Sequence, residues 1–245
     1  TNKALKRAKE FGVRTLCVTN KKGSTIWQAS DFQIDCHAGE EKSIAATKSL
    51  TAQMLCLTFL VLKYAAIKGI DISDYIMQLK TLPEAVKQTF NLQSEINKMA
   101  KFLSKYKNIV ITADGISYAL AKEASLKIKE TSYINVVAMI LGEFMHGHVA
   151  VLNNKFPLIY ITESELSYTA IRNLNKIKED YNPTICIIGN SNEKVDIDFN
   201  INIDCECEIV KSFCVIVISQ LLALEIARLL GRNVDKPKGL HKVVV

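Results

Sequence analysis

Along this chain, short apolar runs rich in Val, Ile, Leu and Cys alternate with longer stretches whose apolar residues recur at helical spacing. The runs 13–18, 108–112, 158–162 and 184–188 predict strands, and the stretches 45–68, 118–131 and 167–180 predict helices. Strands that are apolar throughout are buried on both faces, and regular strand–helix alternation pairs such strands in parallel. The expected fold class is therefore α/β, built on doubly wound parallel sheets.

An internal repeat sharpens this. Thr15-Leu-Cys17-Val and Thr184-Ile-Cys186-Ile lie 169 residues apart, and Ile34-Asp35-Cys36 matches Ile203-Asp204-Cys205 at the same offset. Each copy continues into a long apolar helix, 49–66 and 212–230, closed by Gly69-Ile-Asp71 and by Gly231 to Asp235. Two tandem units follow. The second is preceded by a further strand and helix with no counterpart ahead of Thr1, so the first reads as N-terminally incomplete by roughly 75–100 residues. The segment 69–107 is mostly helical, with Pro83 as its breaker, and reads as the connection. The expected division is 1–90 for the first unit with its linker helices, 91–232 for the second unit and 233–245 for a C-terminal tail.

Composition narrows the class. With 245 residues, 49% of them hydrophobic and 23% charged, the chain is long enough for a sizeable core. The longest apolar run, Leu55 to Ile67, is cut by Lys63, so no membrane span is expected. No signal peptide is visible. The seven cysteines are an odd number set in apolar runs, which suggests a reduced, cytoplasmic protein. Cys205-Glu-Cys207 lacks a second pair at metal-ligand spacing, so no zinc is expected. The net charge of +6 is spread along the chain without interleaved aromatics; nucleic acid is not an expected partner, while small anionic substrates suit it.

Candidate chemistry concentrates in one stretch. Glu123, Lys127 and Glu130 stand at intervals of four and three, which brings two carboxylates and an ammonium to one helix face. On a solvated face such pairs add only about 0.2–0.5 kcal/mol each. Two further features favour a proton-handling role: a glycine-bracketed histidine in Gly142-Glu143-Phe-Met-His146-Gly147, and Lys242 in the tail.

Four segments together carry a family resemblance: Ala38-Gly39-Glu40-Glu41 through Gln53, Glu123 through Tyr133, Gly142 through Gly147, and Asp235-Lys-Pro237-Lys238-Gly239-Leu-His241-Lys242. The pattern resembles the SIS (sugar isomerase) family of double phosphosugar-binding proteins. It is similar in particular to the branch holding the isomerase half of glucosamine-6-phosphate synthase and the fructosamine-6-phosphate deglycases. The resemblance implies two flavodoxin-like units and an enzyme acting on a six-carbon sugar or amino-sugar 6-phosphate. Ring opening and proton transfer between C1 and C2 would be its chemistry, as ketose/aldose isomerase or deaminase/isomerase.

The resemblance also assigns roles. Glu130 moves the proton, His146 assists ring opening, and Lys242 meets the sugar carbonyl from a tail that closes the active site. Glu123 and Lys127 hold the charge state of Glu130 and contact sugar hydroxyls. Ile44, Ala46 and Thr47 form a sugar-contacting turn before a long helix. Thr1 matches the last residue of a phosphate loop, and Glu41 and His241 complete the substrate-binding set. No metal or other cofactor is implied, and a homodimer with shared sites is expected, with His146 serving either its own site or that of the neighbouring subunit. The chain departs from the synthase pattern at His148, Lys238-Gly239, His241 and Ala46, which bears on the substrate more than on the fold. No glutamine-hydrolysing domain is expected. Cleavage of a fructosamine 6-phosphate is the alternative reaction, and a non-catalytic sugar-phosphate sensor is the alternative from another class.

Overall fold

The computed structural model describes residues 1–191 and 194–241. Two compact units divide between Tyr75 and Ile76. The first holds helix α1 (Asn2–Glu10), strand β1 (Leu16–Thr19), helix α2 (Thr25–Ala29), strand β2 (Phe32–Asp35) and helix α3 (Lys48–Ile67); helix α4 (Ser73–Leu79) runs across the division. β1 and β2 pair in parallel from Leu16↔Phe32 to Thr19↔Asp35. After β2, Asn20 pins the loop, its amide donating to the Gly39 carbonyl (2.6 Å) and its oxygen accepting from the Ala38 N–H (2.9 Å).

The second unit continues with α5 (Leu82–Thr89), α6 (Gln93–Leu103), β3 (Asn108–Ala113), α7 (Ser117–Ser132), β4 (Asn135–Ile140), α8 (Leu141–Met145), β5 (Pro157–Ile161), α9 (Tyr168–Tyr181), β6 (Thr184–Ile188), β7 (Phe199–Ile201) and α10 (Glu208–Leu229). Its strands pair in the order β4-β3-β5-β6-β7, all parallel. Helices α6 and α7 lie against strands of this sheet, and α10 packs on both. On the other face Leu141, Phe144, Leu174 and Ile177 of α8 and α9 pack against Val110, Leu158, Tyr160, Ile185 and Ile187 of the strands. The division at Tyr75 falls earlier than the boundary expected at 90. The cause is packing: α5 lies against α10, so it belongs to the second unit's core instead of forming a free linker. Pro83 sits in the first turn of α5, where its missing N–H costs nothing.

The two units share a staple that the sequence reading did not single out. In the first, the N–H and hydroxyl of Thr15 donate to Asp31 (2.8 and 2.7 Å) and Lys9 from α1 pairs with the same carboxylate (3.0 Å). In the second, the Ile185 N–H donates to Asp198 (2.8 Å) and Lys178 from α9 pairs with it (2.8 Å). Lys9 and Lys178 stand at the 169-residue offset of the strand motifs. The Thr15 bonds, aided by Lys9, hold Asp31 down at about 2.

The expectation that no apolar segment reaches spanning length is corrected here. α3 and α10 run 20 and 22 residues and are apolar enough to cross a bilayer, because one lysine in such a run does not end the helix. α10 is largely buried and is the core helix of its unit. α3, its counterpart in the repeat, buries only Leu62 and leaves Leu57, Phe59, Leu60, Val61 and Tyr64 exposed.

Candidate active site

Helix α7 starts behind Gly115, whose φ of +53° turns the chain back from β3. Small residues let the helix sit close: Ala121 and Ala124 are buried, and the Ser125 hydroxyl donates to the Val136 carbonyl of β4 (2.9 Å). Thr131 donates to the Lys127 carbonyl (2.8 Å) and reaches the Ala223 carbonyl of α10 (3.3 Å). This packing buries Lys127 to 4% exposure, with Nζ 2.7 Å from Oε2 of Glu130 and 3.4 Å from Oε1 of Glu123. The carboxylates keep 23% and 19% of their side-chain surface. A buried ammonium is tolerated only when paired, and here two carboxylates pair it while staying open to an incoming ligand.

The tail meets the same helix end. Tyr133 closes α7 in the left-handed region (φ 65°), a conformation that a large side chain seldom adopts. Its hydroxyl accepts a short hydrogen bond from the Lys238 N–H, and Arg232 lies over its ring at 5.0 Å. Asn233 caps the Asp235 and Lys236 amides (3.1 and 3.0 Å), and Pro237 is buried. The Leu240 N–H then returns to the Pro237 carbonyl (3.3 Å) across Gly239 at φ +77°, the third-position conformation of a type II turn. Gly239, one of the departures from the synthase pattern, thus has a conformational reason, since glycine takes that position without strain. His241 is exposed at the end of this turn. Lys242, the candidate carbonyl-binding lysine, lies outside the described residues.

His146 follows α8, exposed, with its N–H on the Glu143 carbonyl (3.0 Å) and Gly147 at φ +100° turning the chain after it. It stands on the α8–α9 side of the sheet, whereas Glu130 stands on the α7–α10 side. The five-stranded sheet of one chain therefore separates these two candidates.

In the first unit, Glu41 has a structural task. Its carboxylate accepts from the N–H groups of Thr47 (2.9 Å) and Ser49 (3.2 Å) and from the Ser49 hydroxyl (2.6 Å), so it satisfies open amides at the start of α3. The turn 44–47 expected to greet an anion thus already has a carboxylate of its own. Ile44, Ala46 and Thr47 are half-buried there, and Thr1 is exposed at the start of α1.

A polar cavity of about 340 Å³ opens where β6 and β7 end, lined by residues including Ser164, Asn190, Asp204, Glu206, Glu208 and Lys211. Its carboxylates, with Glu165, outnumber the buried Lys211, which makes it a poor phosphate site. Beside it Glu163 is buried with Oε2 unpaired, and burial pushes its carboxyl up. Sequence reasoning gave no role to Tyr133, Lys211 or Glu163. Tyr133 alone had a signal, as the aromatic that ends the α7 motif.

Doubly wound parallel sheets, with a lysine buried between two carboxylates on a crossover helix, define an α/β protein carrying a candidate acid–base site. The sequence model of the SIS domain matches residues 1–63 and 102–229, and the chain belongs to the SIS domain family. Glutamine–fructose-6-phosphate aminotransferase (isomerizing) of Aquifex aeolicus is 32% identical over 247 residues, covering 100% of this chain and 41% of its own length. The chain thus spans about two fifths of the curated relatives it matches. Among solved structures, the C-terminal domain of glucosamine-fructose-6-phosphate aminotransferase from Francisella tularensis aligns with a TM-score of 0.87 at 24% identity, covering 96% of this chain and 68% of that one. Glucosamine-6-phosphate deaminase from Thermotoga maritima aligns at 0.72 with 18% identity, covering 98% and 70%. At these identities the two structures establish the fold.

Proposed function

We propose that this chain is a cytoplasmic phosphosugar isomerase acting on a six-carbon sugar or amino-sugar 6-phosphate, as ketose/aldose isomerase or as deaminase/isomerase. The observation that carries the reading is the Lys127–Glu130 contact of 2.7 Å on a helix end reached by the tail. In the isomerase direction Glu130 takes the proton from C1 of the open-chain ketose, and the C1–H electrons form the C1=C2 bond of an enediolate. The proton returns at C2 while the O1 hydroxyl proton passes to O2, leaving the aldose. Lys127 offsets the carboxylate's charge, and Glu123 shares that ammonium. By resemblance Lys242 approaches the sugar carbonyl, Thr1, Ile44, Ala46 and Thr47 contact the substrate, and His146 opens the ring; His241, at a position where the chain departs from the synthase pattern, joins the substrate-binding set.

The sheet standing between Glu130 and His146 favours a homodimer in which each site takes His146 from the neighbouring subunit. A coupled assay on fructose 6-phosphate, glucosamine 6-phosphate, galactosamine 6-phosphate and fructoselysine 6-phosphate tests the reading. Turnover of a hexose or hexosamine phosphate that Glu130→Gln abolishes is expected. Turnover of fructoselysine 6-phosphate alone would replace it with deglycation, and thermal stabilisation by these ligands without turnover would replace it with sensing.

A further inference from the structure

Two residues of the tail converge on one side chain. Tyr133 holds a left-handed backbone at the end of α7, where glycine is the usual occupant. Its hydroxyl accepts from the Lys238 amide, its ring carries Arg232 at 5.0 Å, and Pro237 between them is buried. Sequence distance makes this contact informative: 105 positions separate Tyr133 from Lys238, but only three separate Tyr133 from Glu130. A tail without such a tie would be frayed.

We propose that Tyr133 is a positioning residue that seats the tail against the end of α7, so that Leu240 and His241 are presented on the side of Glu130. The hydroxyl fixes the height of the tail at Lys238, the ring fixes its entry through Arg232, and the Pro237–Leu240 turn directs the chain onward. This rests on the proposed function for its catalytic consequence, but the seating itself does not.

Brief trypsin digestion of the native chain, read by intact mass, tests the seating. The bond probed is Lys238–Gly239, whose cleavage needs the tail to leave α7. Tyr133→Phe keeps the ring under Arg232 and removes only the acceptor. Cleavage is expected to be about fivefold faster in this variant, the effect of one lost hydrogen bond, with an unchanged melting temperature. Equal cleavage rates in parent and variant would overturn the proposal. On a sugar phosphate that the parent turns over, the variant is expected to lose kcat by about tenfold with KM within about twofold, as for a misplaced group near the reacting atoms. Faster cleavage with kcat and KM both unchanged would overturn the catalytic consequence. A parent that turns over none of the sugar phosphates would remove the proposed function while the cleavage rates still decide the seating.

Discussion

Lys127 Nζ lies 2.7 Å from Glu130 Oε2 on a side chain buried to 4% exposure, so the candidate base and its counter-charge are held one helical turn apart in a fixed geometry. Such an ammonium is not the solvated partner of a surface pair. Its removal leaves Glu123 and Glu130 facing each other without a cation, in a place where water reaches only part of each carboxylate.

Lys127→Met should therefore cost stability as well as turnover. Breaking a fully buried pair costs about 3–5 kcal/mol, and the partial exposure of both carboxylates brings the expected loss to about 2–3 kcal/mol. Glu130→Gln leaves the Lys127–Glu123 pair in place and should cost less than about 1 kcal/mol while abolishing turnover. Urea melts of the two variants beside the coupled assay check this; equal destabilisation would mean that Glu123 does not share the ammonium.

Separation of Glu130 and His146 by the sheet makes a sharp prediction for mixed oligomers. Glu130→Gln and His146→Ala should each be inactive alone. Mixed and re-associated in equal amounts, they should recover roughly one quarter of parent activity, because half the dimers are mixed and each mixed dimer has one intact site. No recovery, with mixed dimers present by native mass spectrometry, would place His146 in its own chain's chemistry or outside the chemistry altogether.

Glu163 links burial to pH. Burial raises its carboxyl above the ordinary value, with Glu208 adding to the shift and Lys211 opposing it. The folded state thus holds a proton that the unfolded chain has released, so this group's contribution to stability falls as pH rises from the ordinary carboxylate value through the raised one. Glu163→Gln should flatten that decline, because an amide does not titrate, and so raise stability at neutral pH relative to the parent. Melting temperatures between pH 4 and pH 8 decide it; a parallel pair of curves would mean that Glu163 titrates normally.

What the sequence made legible follows the reach of each physical signal. The strands at 108–113 and 184–188 and the long helices were readable because apolar periodicity is local, and the repeat was readable because two strand motifs recur at one offset. The edge strand β4 was not read although Val136 to Ile140 are all apolar, since it follows α7 after a two-residue turn and runs directly into α8. The Lys9–Asp31 and Lys178–Asp198 staples, the Tyr133–Lys238 contact and the placement of His146 across the sheet depend on residues brought together by tertiary packing, which no window along the chain contains. Glu41 shows the complementary case: its motif was visible, but only the fold reveals three hydrogen bonds at the start of α3.

That finding separates two roles for Glu41. A helix-capping carboxylate replaced by alanine typically costs about 0.5–2 kcal/mol, and Glu41→Ala should fall near the top of that range because it frees two amides and a hydroxyl together. Glu41→Gln keeps a side-chain oxygen for the Thr47 and Ser49 amides and loses mainly the favourable charge at the helix start, about 0.3–1 kcal/mol. Chemical denaturation of the parent and both variants, each paired with KM for the sugar phosphate, distinguishes capping from substrate contact. Capping predicts that stability falls in the order parent, Gln, Ala while KM stays within about twofold for Gln, since the turn 44–47 keeps its shape. A tenfold rise in KM for Glu41→Gln at unchanged stability would show instead that the carboxylate leaves the α3 amides to meet the substrate.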